Sequence, residues 1–145
     1  MAILLRSSLT VLIVGVLCIQ CKTAQQTTQA ENEFRAVYKE QVKLTYLRKL
    51  LGNAFNQSLA VREILASDHS GFTEPLLSRE DDTLLDSLVA IDGNRLRLDS
   101  AQRAGRVAEG AEGKHVLSLV LQRVGSGWLD SLAEDRYRRQ GRTSF

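Results

Sequence analysis

The sequence predicts an all-α protein, a small helical bundle of about five helices behind an N-terminal export signal. Three observations carry this. Pro75 is the only proline in 145 residues. Runs of β-branched residues are few. From Glu31 onward apolar residues recur at three- and four-residue steps, the period of a helix with one buried face.

The leader comes first. Met1 to Arg6 carries one basic residue, Leu9 to Ile19 is an apolar run broken only by Thr10 and Gly15, and a polar tract follows from Thr23 to Asn32. A run of about 11 residues is well short of the roughly 20 that span a bilayer, so the pattern reads as export, to the periplasm or cell envelope. Cys21 stands where a bacterial lipoprotein keeps its acylated cysteine, although Gln20 is larger than a lipobox prefers. Ala24 and Ala30 are competing points of simple cleavage. The expected division is a signal or lipoprotein signal over 1–21, a polar linker over 22–32, a helical domain over 33–140 and a frayed tail over 141–145.

Within the domain, Glu31 to Leu51 is the first helix, with Phe34, Val37, Tyr38, Val42, Leu44 and Thr45 on its apolar arc and Gly52-Asn53 as its stop. A shorter helix follows from about Asn56 to Ser67, with Leu59, Ile64 and Leu65 inward. Gly71 and Pro75 break the chain into a loop. Ser78 caps a third helix whose first turn, Glu80-Asp81-Asp82, suits the positive end of the helix dipole. Leu84, Leu85, Leu88, Val89 and Ile91 form its stripe, and Asp92-Gly93-Asn94 reads as its end. Arg95 to Val107 continues as a more polar helix with Leu96, Leu98 and Ala101 inward. Val116 to Val124 is apolar on nearly every side except Ser118, Gln122 and Arg123, which reads as a buried central helix first and a buried strand second, and its equally apolar sides fit a buried core and an obligate homodimer alike. Trp128 to Arg139 is last, with Trp128, Leu129, Leu132 and Tyr137 near one face.

Composition narrows the function. The two cysteines, Cys18 and Cys21, both lie in the leader, so the domain has neither a disulfide nor a thiolate metal site. The chain holds 19 basic and 17 acidic residues. The two basic residues in excess, Arg6 and Lys22, lie in the leader or just after it. A domain so balanced is poor material for nucleic-acid binding. His69 and His115, the only histidines, could each be drawn into a Ser-His-Asp set on paper. No G-x-S-x-G elbow supports one, and surface or capping histidines are the plainer reading. No spacing suits a metal, and the acids at 80–82 are ordinary helix-start acids. Gly113-Lys114 looks like part of a phosphate loop, but His115 stands in the Ser/Thr place and two glutamates would repel phosphate. No cofactor is expected. The arginines at 136, 138, 139 and 142 read as a solvated basic helix end.

Three local stretches resemble a known family: Asp68 to Pro75, Gly105 to His115, and Trp128-Leu129-Asp130 with Tyr137 downstream. With the lipoprotein-like leader and a cysteine-free helical body, the chain resembles the type VI secretion amidase immunity proteins, in a version like Bacteroidetes lipoproteins. It departs from them in having no cysteines able to pair within the body. The resemblance implies a non-enzymatic periplasmic protein, often dimeric, that binds and occludes a cell-wall amidase effector. The partner-binding residues it nominates are Ser70, Phe72 and Glu74 in one loop and Glu109, Glu112, Lys114 and His115 in the other. The competing reading is an envelope structural or adaptor lipoprotein anchored through Cys21.

Overall fold

The computed structural model describes the backbone of residues 2–71, 76–106 and 113–141, with side chains from residue 28 onward in those ranges. Among the described residues there are five helices and no strand: α1 (Ala2–Ala54), α2 (Leu59–Ser67), α3 (Arg79–Arg103), α4 (Val116–Gly125) and α5 (Trp128–Gly141). The protein is all-α. The chain divides into two compact units, Met1–Ala36 and Val37–Phe145.

In the first unit the stretch expected as a polar linker, 22–32, is helical. Its Thr, Gln, Ala and Glu residues include no glycine or proline, so nothing local breaks the helix. Gln29 donates to Glu33 at 3.1 Å, one turn on. Phe34, expected inward, is half exposed. Among the described residues no helix is long and apolar enough to cross a membrane.

The second unit is built from three rods. The first is α1 from Val37 to Ala54. Tyr38, Val42, Tyr46 and Leu50 are four residues apart, and each is at most 3% exposed. Lys39 pairs with Glu134 at 2.8 Å and Lys43 with Asp130 at 3.2 Å, so chain order reverses across the contact and α5 runs antiparallel to α1. Asp81 meets Arg136 and Asp92 meets Arg123, so α3 is antiparallel to α4 and α5 and parallel to α1. The third rod is therefore α4 followed by α5, broken at Ser126-Gly127, where Gly127 takes a φ of 67°. Leu85, Val89 and Leu96 of α3, Val116 and Leu119 of α4, and Leu129 and Ala133 of α5 close the core. Burial of each large aliphatic side chain is worth about 2 kcal/mol.

Several element expectations are corrected. Gly52 does not stop α1. It is buried within the helix, and a Cβ there would meet the Gln57 side chain. The helix ends two residues later, because Asn56 and Gln57 both adopt left-handed backbone and Gln57 N–H returns to the Gly52 carbonyl at 2.8 Å. Consequently α2 starts at Leu59, not Asn56. It buries none of its residues, and Leu59 and Ile64 are exposed. Asp92-Gly93-Asn94 does not end α3. Asp92 is buried under Tyr46 and Arg123, and Gly93 passes so close to Asn53 that a Cβ would collide with its amide oxygen. The glycine serves close approach between rods and not termination. Ile91, Leu98 and Ala101 are exposed, not inward. Nor is Val116–Val124 a buried central helix: only Val116 and Leu119 are buried, while Leu117 and Leu121 are 68% and 73% exposed. The central place belongs to α1.

The start of α3 is as expected. Ser78 Oγ accepts from the Asp81 amide, and the Asp81 carboxylate accepts from the Ser78 amide, both at 3.1 Å. This reciprocal cap satisfies donors that the first turn leaves open.

Candidate partner-binding surfaces

Ser70 lies in a tightly tied turn. Arg48, on α1, donates to the Asp68 carboxylate at 2.8 Å, the Asp68 carbonyl at 3.0 Å and the Ser70 carbonyl at 2.7 Å. Asp68 Oδ1 in turn accepts from the Ser70 amide at 3.0 Å and its hydroxyl at 2.6 Å, an Asx turn. The Ser70 hydroxyl, then Arg48, hold the Asp68 carboxyl down to about 2. Gly71 follows with φ +106°, against Leu44. Phe72 and Glu74, nominated from this loop, lie outside the described residues, as do Glu109 and Glu112.

Lys114 and His115 are described, and each has an internal partner. The Lys114 ammonium donates to the Ala54 carbonyl at 2.6 Å, closing the C-terminal end of α1. A cation there also meets the negative pole of the dipole. His115 begins α4, its carbonyl accepting from the Leu119 amide. Arg103 Nη1 lies 3.3 Å from its Nδ1 and 3.5 Å from its Nε2, so the guanidinium sits over the imidazole ring. Ser70 lies against the middle of α1 and Lys114 against its end, so the two described ends of the nominated loops are separate.

Two Tyr–Asp–Arg ties cross the bundle, each drawing one residue from each rod. In the first, Tyr46 donates to Asp92 at 2.6 Å, and Arg123 binds the same carboxylate through two nitrogens at 3.1 and 2.6 Å. Arg123 also lies 4.4 Å over the Trp128 ring. In the second, Arg136 donates to Asp81 at 2.7 Å, Gln140 also binds Asp81, and Tyr38 packs beside the carboxylate. The Tyr38 hydroxyl is buried with no hydrogen-bond partner of good geometry. Burial, then the neighbouring carboxylate, push both tyrosines upward. Burial alone would raise Asp81, but Arg136 and Ser78 outweigh it and hold the carboxyl below its usual range. Arg136 was read from sequence as part of a solvated end and Asp92 as a helix stop. The signal that could have found the ties is the spacing of Tyr38 with Tyr46 and of Asp81 with Asp92, each pair one face of a helix.

Sequence reasoning also missed a cleft. Between the second half of α3 and α4 lies an open groove of about 550 Å³, lined by Ile91, Leu98, Leu119, Arg95, Asp99 and Arg103 among others. A polar recess of about 540 Å³ adjoins it, sharing Ile91 and Asn94 and adding Asn53, Asn56, Arg97 and Lys114. On the other side of α4 from the groove, Leu117, Leu121 and Val124 form an exposed ridge. The groove's far end is Arg103 and His115, which flank the glycine-rich segment nominated above. His69 is exposed. Among the described residues no three His, Cys, Asp or Glu side chains converge as a metal would require.

Comparison of the chain with protein-family models, with curated proteins and with solved structures finds no match to any of them.

Proposed function

We propose that this protein works by binding another protein and not by catalysis, as a cell-envelope immunity protein that occludes a peptidoglycan amidase effector of type VI secretion. The observation that supports it best is the exposed ridge of Leu117, Leu121 and Val124 along one face of α4. Leu117 and Leu121 are each more than two-thirds exposed, and apolar side chains left uncovered along one helix face mark an interaction site. The cleft between α3 and α4 ends at Arg103 and His115, the stems of the segment that the family resemblance nominates for recognition. An envelope location for such an encounter is supported by the export-like leader, in which Cys21 is the candidate lipid anchor and Ala24 and Ala30 are the competing cleavage points.

Inhibition of this kind needs no chemistry from the inhibitor. It requires a rigid scaffold, which the two cross-ties supply, and roughly 1,600 Å² of complementary interface. The test is capture of a peptidoglycan amidase by the tagged full chain from the native host's envelope, followed by assay of the purified enzyme. Stoichiometric loss of amidase activity on adding the chain is the expected result. A chain that is found in the membrane fraction, released by Cys21→Ala, and inhibits no amidase would replace this reading with an envelope adaptor lipoprotein.

A further inference from the structure

The short turn between α1 and α2 combines an exposed asparagine with an exposed hydroxyl two residues on. Of the chain's four asparagines only Asn56 has this neighbour, in Asn56-Gln57-Ser58. Asn-x-Ser, with any residue but proline between, is the acceptor sequence for an N-linked sugar, and it serves as one on a surface loop of an exported chain. The turn meets the structural condition. Asn56 and Ser58 are both exposed. Asn56 and Gln57 take φ of 52° and 53°, which lifts the backbone out of α1 before Leu59 begins α2. The main chain satisfies itself there: the Asn56, Gln57 and Ser58 amides donate to the Asn53, Gly52 and Phe55 carbonyls at 3.2, 2.8 and 3.1 Å. The two side chains are spare. Ser58 precedes α2 without capping it through its hydroxyl, and among the described residues neither that hydroxyl nor the Asn56 side chain is engaged by another group. Asn56 also lines the open polar recess with Asn94 and Arg97, which offers hydrogen-bonding groups to the hydroxyls of a first sugar. Asn53 differs on both counts: residue 55 has no hydroxyl, and the Asn53 side chain lies against Gly93.

We propose that Asn56 is the attachment site of an N-linked oligosaccharide. The donor class is an oligosaccharide held on a lipid pyrophosphate, and this chain supplies only the acceptor. The bond formed joins Asn56 Nδ2 to the anomeric carbon of the first sugar. The bond broken joins that carbon to a phosphate oxygen, which keeps the electron pair, and the amide gives up one proton as the lipid pyrophosphate departs. A bulky group is accommodated there because α2 buries none of its residues, so a glycan at its start displaces no packing. Phe55 and Leu59, on either side of the acceptor sequence, are 43% and 64% exposed. A hydrated glycan between them screens this apolar surface from other chains. The inference rests on the export reading of the leader and is independent of the amidase reading.

The experiment uses the full chain with its own leader, purified from the native host after export. Trypsin cuts after Lys49 and Arg62, so the peptide from Leu50 to Arg62 carries the acceptor sequence intact. Mass spectrometry is expected to find this peptide with added hexose and N-acetylhexosamine masses, removed by peptide N-glycosidase with aspartate left at position 56. Asn56→Gln and Ser58→Ala should each abolish the added mass. Ser58→Thr, which keeps the hydroxyl, and Asn53→Gln should both retain it. All three positions are exposed, and the retained mass in Ser58→Thr separates recognition of the hydroxyl from any effect on folding. A bare peptide from Leu50 to Arg62 in the exported protein overturns the proposal. So does added mass that survives Asn56→Gln, which would put the sugar on another residue. A chain glycosylated at Asn56 that inhibits no amidase keeps this site and removes the immunity reading; a bare chain that inhibits one does the opposite.

Discussion

Tyr38 and Tyr46 lie on the same face of α1 and are equally buried, yet their hydroxyls differ in what they meet. Tyr46 donates a short bond to the Asp92 carboxylate; Tyr38 sits beside Asp81 without one. Removing a hydroxyl that bonds a buried charge costs about 1.5–3 kcal/mol, whereas removing an unsatisfied one is neutral or favourable. Tyr46→Phe should therefore lower the urea midpoint by about 2 kcal/mol of stability, and Tyr38→Phe should leave it unchanged or raise it. A loss of similar size in both variants would contradict this difference between the two ties. The second tie also sets a pH dependence. The folded pKa of Asp81 lies below the ordinary value of 3.8. Its stabilising effect is thus complete above that value and is lost as pH falls from about 4 through the lower folded pKa. Thermal unfolding followed from pH 6 down to pH 2.5 should show Tm falling most steeply below about pH 4. Asp81→Asn should begin from a lower Tm at neutral pH and fall less steeply.

Helices are placed here by where their neighbours allow close approach. At Gly93 a methyl group would displace the Asn53 side chain. Alanine is better than glycine in a helix interior by about 1 kcal/mol. Gly93→Ala should realise that gain in full only in an Asn53→Ala background, and the shortfall in the parent measures the displacement of Asn53. The periphery should behave differently. Leu59 of α2 is 64% exposed, so Leu59→Ser should change stability by less than about 0.5 kcal/mol. Leu50→Ala, fully buried on α1, should cost about 3 kcal/mol. These contrasts also explain what was legible in the sequence. The Ser78 cap was readable because its partner, Asp81, is three residues away. Trp128 to Tyr137 was readable as a helix because its apolar period is local. Asp92-Gly93-Asn94 was misread because the residues that make it helical, Arg123 and Asn53, are some 30 to 40 positions distant. Ile91 and Leu98 have the periodicity of a buried stripe, but periodicity reports a face and not whether another helix covers it. The groove was invisible for that reason, and of the nominated contact residues only Ser70, Lys114 and His115 lie among the described ones.

In the second unit the rods are joined by two ties, each an aspartate of α3 bound by an arginine of the α4–α5 rod, with a tyrosine of α1 hydrogen-bonded to the carboxylate in the first and packed beside it in the second. Asp81 and Asp92 are about 16 Å apart along α3, farther than the range over which neighbouring substitutions couple. Each tie also has its own cation and its own aromatic neighbour: Arg123 stacks on Trp128, while Tyr38 meets Tyr137 at 5.6 Å. The ties should then act as independent clamps on one cooperative core. Asp92→Ala strands the Tyr46 hydroxyl and Arg123, and Asp81→Ala strands Arg136 and removes the side-chain half of the α3 capping box, so each should cost about 3 kcal/mol. The double variant should lose the sum of the two within about 0.5 kcal/mol. Two probes separate the clamps from the core. Far-ultraviolet circular dichroism follows all the helices, while Trp128 fluorescence follows the end of the molecule nearest Arg123. In the parent and in both single variants the two transitions should coincide, because the aliphatic core from Leu50 to Leu129 is continuous through both ties. A fluorescence transition that precedes the helical one in Asp92→Ala alone would mean that each tie holds its own subdomain, and that the core does not bind the rods into a single folding unit.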